Sequence, residues 1–156
     1  MSVNLIEWSS KISQAEKTRQ GMAPLTEQID SLSLKDAYSI QLEQVHRKVN
    51  EGDHITGKKI GLTSLAMQQL LKVDEPDYGH LLASMAITNN VLDCSECIKP
   101  RVEAEIAFVM KEDLIGPNVT LEQVLAATDY YVASLEVVDS RIKDWKIKLL
   151  DTIADN

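Results

Sequence analysis

The strand signal that decides the fold lies at residues 102–110, which read VEAEIAFVM. Side chains alternate between the two faces of a strand, so Glu103 and Glu105 share one face while the opposite face is apolar. The Cα atoms of two such residues lie about 6.5 Å apart, which lets both carboxylates reach a single ion. Ala107 and Val109 continue the glutamate face, and this pattern predicts a face that is at least partly buried. Buried neighbouring carboxylates repel each other unless a cation lies between them.

A second apolar strand is predicted at residues 130–138, and Glu136 lies inside it. An acid in a buried strand needs a partner, and neither strand as predicted contains a basic residue. Three carboxylates on two core strands are the donor set that a hard cation such as Mg²⁺ or Mn²⁺ prefers. The alternative is a solvated edge strand, on whose wet face glutamates at alternate positions are ordinary.

Lys59 is a second kind of candidate, near the end of the strand predicted for residues 55–62 and just before Gly61. The missing side chain of Gly61 would let a ligand approach the backbone, and a lysine there could hold a substrate carboxylate or donate a hydrogen bond to a developing enolate. Alternation allows only one of Lys58 and Lys59 to face such a site, and a solvated lysine is the ordinary alternative. Asp77 lies in a turn-rich stretch and is more typical of a turn than of an acid or base.

Along the rest of the chain the pattern predicts helices first and strands later. Amphipathic helices are indicated at residues 4–19 and 33–52, the second capped by Ser33 and expected to bury Tyr38, Leu42, Val45 and Val49. A short helix should follow Ser64, with an apolar set of Ala66, Met67, Leu70 and Leu71. Thr120 and Gln123 predict a capping box for another helix, and no closing helix is indicated after the last strand. The expected division is a helical region at residues 1–53 and a β-rich region at residues 54–156.

Composition excludes several classes of partner. A chain of 156 residues that is 44% hydrophobic can form one domain, and its formal net charge of −8 would repel a nucleic acid backbone. No leader segment and no apolar stretch of bilayer length are visible, so a soluble, cytoplasmic protein with no membrane partner is expected.

Other reactive side chains carry weaker signals. Cys94 and Cys97 could form a redox pair or half of a zinc site, but no second pair is present and the polar stretch around them does not read as a strand leading into a helix. His46, His54 and His80 stand at unrelated positions, without a neighbour that would make one of them the base of a nucleophile.

Four blocks of the sequence resemble successive signatures of one enzyme family. They are residues 57–64 (GKKIGLTS), 76–79 (PDYG), 100–107 (PRVEAEIA) and 135–141 (LEVVDSR), with weaker matches at 23–25 and 36–38. In this order they resemble the 2-oxopent-4-enoate hydratase and 4-oxalocrotonate decarboxylase family of the fumarylacetoacetate hydrolase superfamily. The resemblance spans nearly the whole chain.

The resemblance implies a role for each candidate. Glu103, Glu105 and Glu136 would bind Mg²⁺ or Mn²⁺, while Lys59 and Asp77 would act on the substrate. The implied fold is mixed α/β, with a small helical amino-terminal region followed by a β-rich sandwich or roll. Members of this family continue beyond the motif that ends at residue 156, so the chain is expected to be truncated at its carboxyl end.

The implied activity is that of a metal-dependent lyase in aromatic meta-cleavage catabolism. It would add water to 2-hydroxypenta-2,4-dienoate, the enol tautomer of 2-oxopent-4-enoate, and give 4-hydroxy-2-oxopentanoate. Residues 144–147 and 151–152 favour the hydratase branch. The alternatives are a 4-oxalocrotonate decarboxylase, a non-catalytic truncated partner subunit, or a plain carboxylate-rich binding module. Expected partners are a small 2-oxo acid, further copies in a homo-oligomer, and a sister decarboxylase, hydratase or downstream aldolase.

Overall fold

A computed structural model describes residues 3–156, with all side chains except those of Met67, Leu70 and Leu71. Its α-helices are α1 (Leu5–Thr18), α2 (Leu25–Gln28), α3 (Leu34–Asn50), α4 (Leu65–Leu71), α5 (Leu121–Ala127) and α6 (Leu149–Asp155). Its strands are β1 (Ile55–Gly61), β2 (Asp77–Leu82), β3 (Arg101–Met110) and β4 (Thr128–Val138). The mixed α and β architecture is therefore confirmed. The apolar set expected on α4 lies mostly outside the described side chains.

The chain folds into two compact units, of which the first joins Met1–Lys99 to Ser140–Asn156 and the second is Pro100–Asp139. The segment after residue 139 belongs to the first unit because it returns to the helices, where Met22 and Ile142 form a parallel bridge. These boundaries do not coincide with the division expected after residue 53. The assignment of residues 54–156 to a catalytic domain stays a prediction.

The core of the first unit lies among α1, α2, α3 and α6. Its buried apolar residues are Ile12, Leu25, Ala37, Ile40, Ile142, Ile153 and Ala154. α1 begins where the side chain of Asn4 accepts a hydrogen bond from the backbone N–H of Glu7, and α3 begins with a capping box between Ser33 and Asp36. Both helices were expected from the sequence, and both are confirmed.

The buried face of α3 differs from the predicted apolar stripe. Val45 is buried as expected, but Leu42 and Val49 are each 38% exposed. Gln41 and Gln44 lie on the inner face instead, and Gln44 Nε2 donates to a backbone carbonyl of α6 at 2.6 Å. An amide can be buried when it has a carbonyl to bond, and a hydropathy pattern cannot see that partner.

The sequence predicts no closing helix, and α6 shows that this expectation is wrong. The carboxylate of Asp151 is fully buried and accepts hydrogen bonds from the backbone N–H and the hydroxyl of Thr26 at 3.0 and 2.7 Å. Asp155 is also buried, and its Oδ1 lies 2.6 Å from Nε of Arg141. Nothing local in the sequence marks a partner for either acid, whereas in the fold both acids anchor the helix to its neighbours.

β1 and β2 form an antiparallel pair in the first unit. We call this pair the hairpin, although the connection between its strands contains α4. The strand expected at residues 55–62 is confirmed. Asp77 was expected in a turn, but it is the first residue of β2 and pairs with Gly61. The turn-rich stretch therefore ends before Asp77, whose backbone pairs with β1. The next residue, Tyr78, stacks its ring on that of Tyr38 with 4.3 Å between centroids.

The second unit is an antiparallel ribbon of β3 and β4, with α5 contacting β4. Thr120 and Gln123 form the expected capping box of α5. Most side chains of the ribbon are exposed, including Ile106 at 65% and Leu135 at 72%, so the strands are not buried as core strands, whereas Ala107 and Val109 on the glutamate face are partly buried as predicted. A two-stranded ribbon has two faces, and α5 is the one helix within residues 100–139 that could cover either of them.

Two further features concern the membrane partner and the cysteine chemistry considered in the sequence analysis. Among residues 3–156, no helix combines the length and apolar character needed to cross a bilayer. Cys94 is exposed and begins a short 3-10 turn, Cys94–Glu96, so the Cys-x-x-Cys does not open an α-helix after a strand. That the pair has no redox role stays a prediction.

Candidate metal centre and the Lys59 hairpin

Three carboxylates converge on one face of the β3–β4 ribbon. Glu103 lies directly opposite Glu136, and Glu105 lies on the same face two residues along β3. One carboxylate oxygen of each residue lies within 4.8 Å of those of the other two. The pairing register of the two strands produces this cluster, since neither strand alone brings Glu136 to the other acids.

The geometry of the cluster fits a hard divalent cation. Mg²⁺ and Ca²⁺ bind oxygen at about 2.0 to 2.6 Å, so two oxygens on one ion are at most about 4 to 5 Å apart. All three donors are carboxylates, which suit Mg²⁺, Ca²⁺ and Mn²⁺ better than the softer metals. Like charges directly opposite each other on paired strands are destabilising until a cation neutralises them. The residues present therefore fit the metal class that the sequence predicts.

The surroundings of the cluster differ from the prediction in two ways. Glu103 and Glu105 are exposed and Glu136 is half-buried, so the expected set of buried acids is not found. In addition, β3 begins at Arg101 rather than Val102, which places a basic residue on the glutamate face of the strand. Water around the exposed carboxylates reduces the repulsion among the acids. The support for a metal site therefore comes from the convergence of the oxygens and not from their burial.

The β1–β2 hairpin places Lys59 and Asp77 on a common face. Lys59 pairs with Gly79, and Gly61 pairs with Asp77. Paired residues present their side chains on the same side of the sheet, so each polar residue faces a glycine. Lys58 lies on the other face by alternation, which decides between the two lysines that the sequence left open.

Both glycines make room for the polar side chain opposite them. A Cβ atom on Gly61 would lie 2.2 Å from Oδ1 of Asp77, and one on Gly79 would lie 2.7 Å from Cε of Lys59. Real Cβ atoms essentially never approach other atoms this closely. Gly61 was interpreted as an opening for a ligand, but the group that lies over it is the carboxylate of Asp77.

The opposite face of the hairpin is buried at His80, which is 4% exposed. Its Nδ1 lies 3.0 Å from Oε1 of Gln41. Gln41 Nε2 donates to two backbone carbonyls, which can only accept, so Oε1 is the acceptor and His80 donates from Nδ1. Burial lowers the pKa of His80, and Lys58 and His46 lower it further. His80 is therefore a buried, hydrogen-bonded histidine of the first unit. Sequence reasoning missed Gln41, because no motif marks it.

Comparisons with known proteins relate this chain to one enzyme family. The chain is 46% identical over 152 residues to 2-hydroxypent-2,4-dienoate hydratase of Pseudomonas putida, covering 96% of this chain and 68% of that protein. It is 44% identical over 149 residues to 2-hydroxyhexa-2,4-dienoate hydratase of Comamonas testosteroni, covering 94% of this chain and 56% of that protein. A search against models of protein families gave no match.

A solved structure shows the same fold. The 4-oxalocrotonate decarboxylase from Pseudomonas putida G7, complexed with magnesium and adipate, matches with a TM-score of 0.92 at 36% sequence identity. The match covers 97% of this chain and 58% of the decarboxylase chain. The same enzyme complexed with calcium and acetate matches with a TM-score of 0.89.

The fold is thus that of the fumarylacetoacetate hydrolase superfamily. Within that class, the chain belongs to the family of 2-hydroxypentadienoate and 2-keto-4-pentenoate hydratases. It spans between about half and two thirds of the length of these relatives.

Proposed function

We propose that the chain supplies metal-binding and substrate-contacting residues of a hydro-lyase in aromatic meta-cleavage catabolism. The enzyme would add water to 2-hydroxypenta-2,4-dienoate and give 4-hydroxy-2-oxopentanoate. Relatives at 40 to 46% identity are hydratases of 2-hydroxydienoates and 2-keto-4-pentenoates, which supports this substrate class. The observation that carries the proposal is the convergence of Glu103, Glu105 and Glu136 within 4.8 Å, in a chain of that family.

Each candidate residue has a defined task in this proposal. Glu103, Glu105 and Glu136 would hold the cation, Mg²⁺ or Mn²⁺, which when bound would supply a Lewis acid for the 2-oxygen of the substrate. Lys59 would donate a hydrogen bond to the substrate carboxylate or to the 2-oxygen. Asp77 would take a proton from the 2-hydroxyl group and return one at C5 as the dienol ketonises, before water adds at C4.

The proposal extends to assembly. Members of the family that the sequence resembles form homo-oligomers, and hydratase and decarboxylase associate with each other. We therefore propose that the chain self-associates and binds a sister decarboxylase or a downstream aldolase. Light scattering of the chain alone and mixed with each candidate partner measures both associations.

Metal binding and turnover test the proposal separately. Mg²⁺ is titrated calorimetrically into the wild type, Glu105→Gln and the control Glu112→Gln, which changes an exposed acid of the same unit outside the cluster. Glu105→Gln should weaken Mg²⁺ binding by at least about tenfold and abolish metal-dependent turnover, while the control changes neither. Retained turnover with unchanged metal affinity in Glu105→Gln would refute the ligand assignment.

A decarboxylase is the second candidate, because the TM-score of 0.92 relates the chain to a 4-oxalocrotonate decarboxylase. Assays of 2-hydroxypenta-2,4-dienoate and 4-oxalocrotonate on one preparation separate the two reactions. Mg²⁺ binding without turnover of either compound would favour a non-catalytic partner subunit or a plain carboxylate-rich binding module.

A further inference from the structure

The outer edge of β2, away from β1, is covered by a side chain instead of a third strand. The backbone N–H of His80 donates to Oδ1 of Asn156 at 2.7 Å, and Nδ2 of Asn156 donates to the backbone carbonyl of His80 at 3.0 Å. An uncovered strand edge presents this donor and acceptor pair to a neighbouring strand. The carboxamide of Asn156 satisfies both groups at once.

A second amide holds the same edge two residues away. Gln41 Nε2 donates to the backbone carbonyl of Tyr78 at 3.1 Å and to that of Ile153 at 2.8 Å. Backbone groups of alternate residues point to the same edge of a strand, so Tyr78 and His80 are the two residues that need such partners. We call Gln41 and Asn156 the amide bracket. It ties β2 to α3 and to the end of α6.

The bracket encloses the residue that faces Lys59. Gly79 lies between Tyr78 and His80, and a Cβ atom at Gly79 would lie 2.8 Å from Oδ1 of Asn156 and 2.7 Å from Cε of Lys59. The amide of Asn156 and the stem of Lys59 therefore flank the same small space above Gly79. The side chain that fixes the edge of β2 therefore lies, like the stem of Lys59, next to Gly79.

We infer that Asn156 is a positioning residue for the Lys59 and Asp77 face of the hairpin. Its donor and acceptor fix β2 at His80, and its oxygen limits where the Lys59 side chain can lie. The inference rests on the proposed function, in which Lys59 and Asp77 act on the substrate. A purely structural edge cap would hold His80 equally well but would leave the placement and the titration of Lys59 unchanged.

Two substitutions separate these roles. Asn156→Ala removes both hydrogen bonds, whereas Asn156→Asp keeps the shape and the acceptor, loses the donor and adds a negative charge beside Lys59. Thr152→Ala, on an exposed position of the same helix, is the matched control. Nuclear magnetic resonance of the whole chain measures amide exchange at His80, the Overhauser contact between the Lys59 side chain and Gly79, and the pH titration of the Lys59 amine, assigned with Lys59→Arg.

In Asn156→Ala we expect exchange at the His80 amide to accelerate by about three- to tenfold and the contact between Lys59 and Gly79 to disappear. In Asn156→Asp we expect His80 to stay protected and the pKa of Lys59 to rise, because an opposite charge favours the ammonium form. Thr152→Ala should change none of these. If Asn156→Ala does not fold, the Asp variant decides through the Lys59 titration.

Two results would overturn the inference. Unchanged exchange of the His80 amide in Asn156→Ala would show that Asn156 does not hold the edge of β2. Faster exchange of that amide with an unchanged Lys59 contact and titration would show that Asn156 only caps the strand edge and does not position Lys59. None of these measurements needs turnover. Absence of hydratase activity in the wild type would therefore count against the proposed function and leave the positioning role to be decided by the resonance data.

Discussion

The two groups of candidate residues are assembled in different ways. In the β3–β4 ribbon, strand register alone brings Glu103, Glu105 and Glu136 together, and two of the three are exposed. In the β1–β2 hairpin, Lys59 and Asp77 lie over positions where a Cβ atom would clash, and buried groups hold the strand behind them. An exposed ribbon should tolerate most substitutions that spare its acids, whereas the packed hairpin should tolerate few.

The largest expected effect comes from truncating one isoleucine in each unit. Ile40 is 0% exposed, and Ile40→Ala should lower the free energy of unfolding by about 2 to 5 kcal/mol because it leaves a cavity. Ile106 is 65% exposed, and Ile106→Ala should change it by less than about 0.5 kcal/mol. Urea denaturation measures both. Equal losses would show that the ribbon is covered in solution and would break the comparison.

A smaller effect is expected from adding one methyl group to the hairpin. Gly61→Ala places a Cβ atom 2.2 Å from Oδ1 of Asp77 and should destabilise the first unit by about 1 to 3 kcal/mol. Gly57→Ala is the control on the same face, because its Cβ atom would meet Leu81 at an ordinary 3.6 Å. Thermal unfolding compares the two variants. A Gly61→Ala protein as stable as Gly57→Ala would contradict the close packing of Asp77.

The same substitution sharpens the contrast between the two groups of residues. Mg²⁺ affinity of Gly61→Ala should equal that of the wild type, because the three glutamates belong to the other compact unit. Calorimetric titration of Mg²⁺ measures this. An affinity loss as large as that of Glu105→Gln would mean that the hairpin contributes to the metal site.

The smallest effect is a dependence of stability on pH at His80. Burial first, then Lys58 and His46, lower the pKa of His80 in the folded protein, so the unfolded chain takes up a proton at higher pH than the folded chain does. The contribution of His80 to the free energy of unfolding should be constant above about pH 6.5 and should fall as the pH drops below it.

Urea denaturation at a series of pH values between about 5 and 8, a range that includes the ordinary histidine pKa, measures this slope. His80→Gln should flatten it, while His54→Gln, which changes an exposed histidine, should leave it unchanged. A slope that survives His80→Gln would have to come from another group.

Local sequence signals predicted helices well where the sequence contains a capping residue at the start of the helix. Ser33 caps one helix, and Thr120 with Gln123 forms the capping box of another, both as the pattern indicates. α6 was missed because no local signal marks the partner of its acid Asp151, which is 0% exposed. The partner of that acid is Thr26, which lies 125 residues away in the sequence.

The candidate site also has one part that local sequence predicts and one part that it does not. Alternation along β3 puts Glu103 and Glu105 on one face whatever the rest of the chain does, and the family blocks around them are local in sequence. Burial could not be predicted in the same way, because apolar side chains on a strand show that a face can be covered and do not show what covers it. The expectation of buried acids failed for this reason.

By itself, the sequence determined the helices with clear caps, the strands β1, β3 and β4, the sharing of a face by Glu103 and Glu105, and the family, whereas β2 lies where a turn was expected. Tertiary structure supplied the register that brings Glu136 opposite Glu103 and puts Lys59 on the face of Asp77, and it alone showed that Asn156 and Gln41 hold β2. Periodicity and capping act between neighbours in the chain. Strand register and buried hydrogen bonds join residues far apart in the chain, and the fold is what brings them within reach.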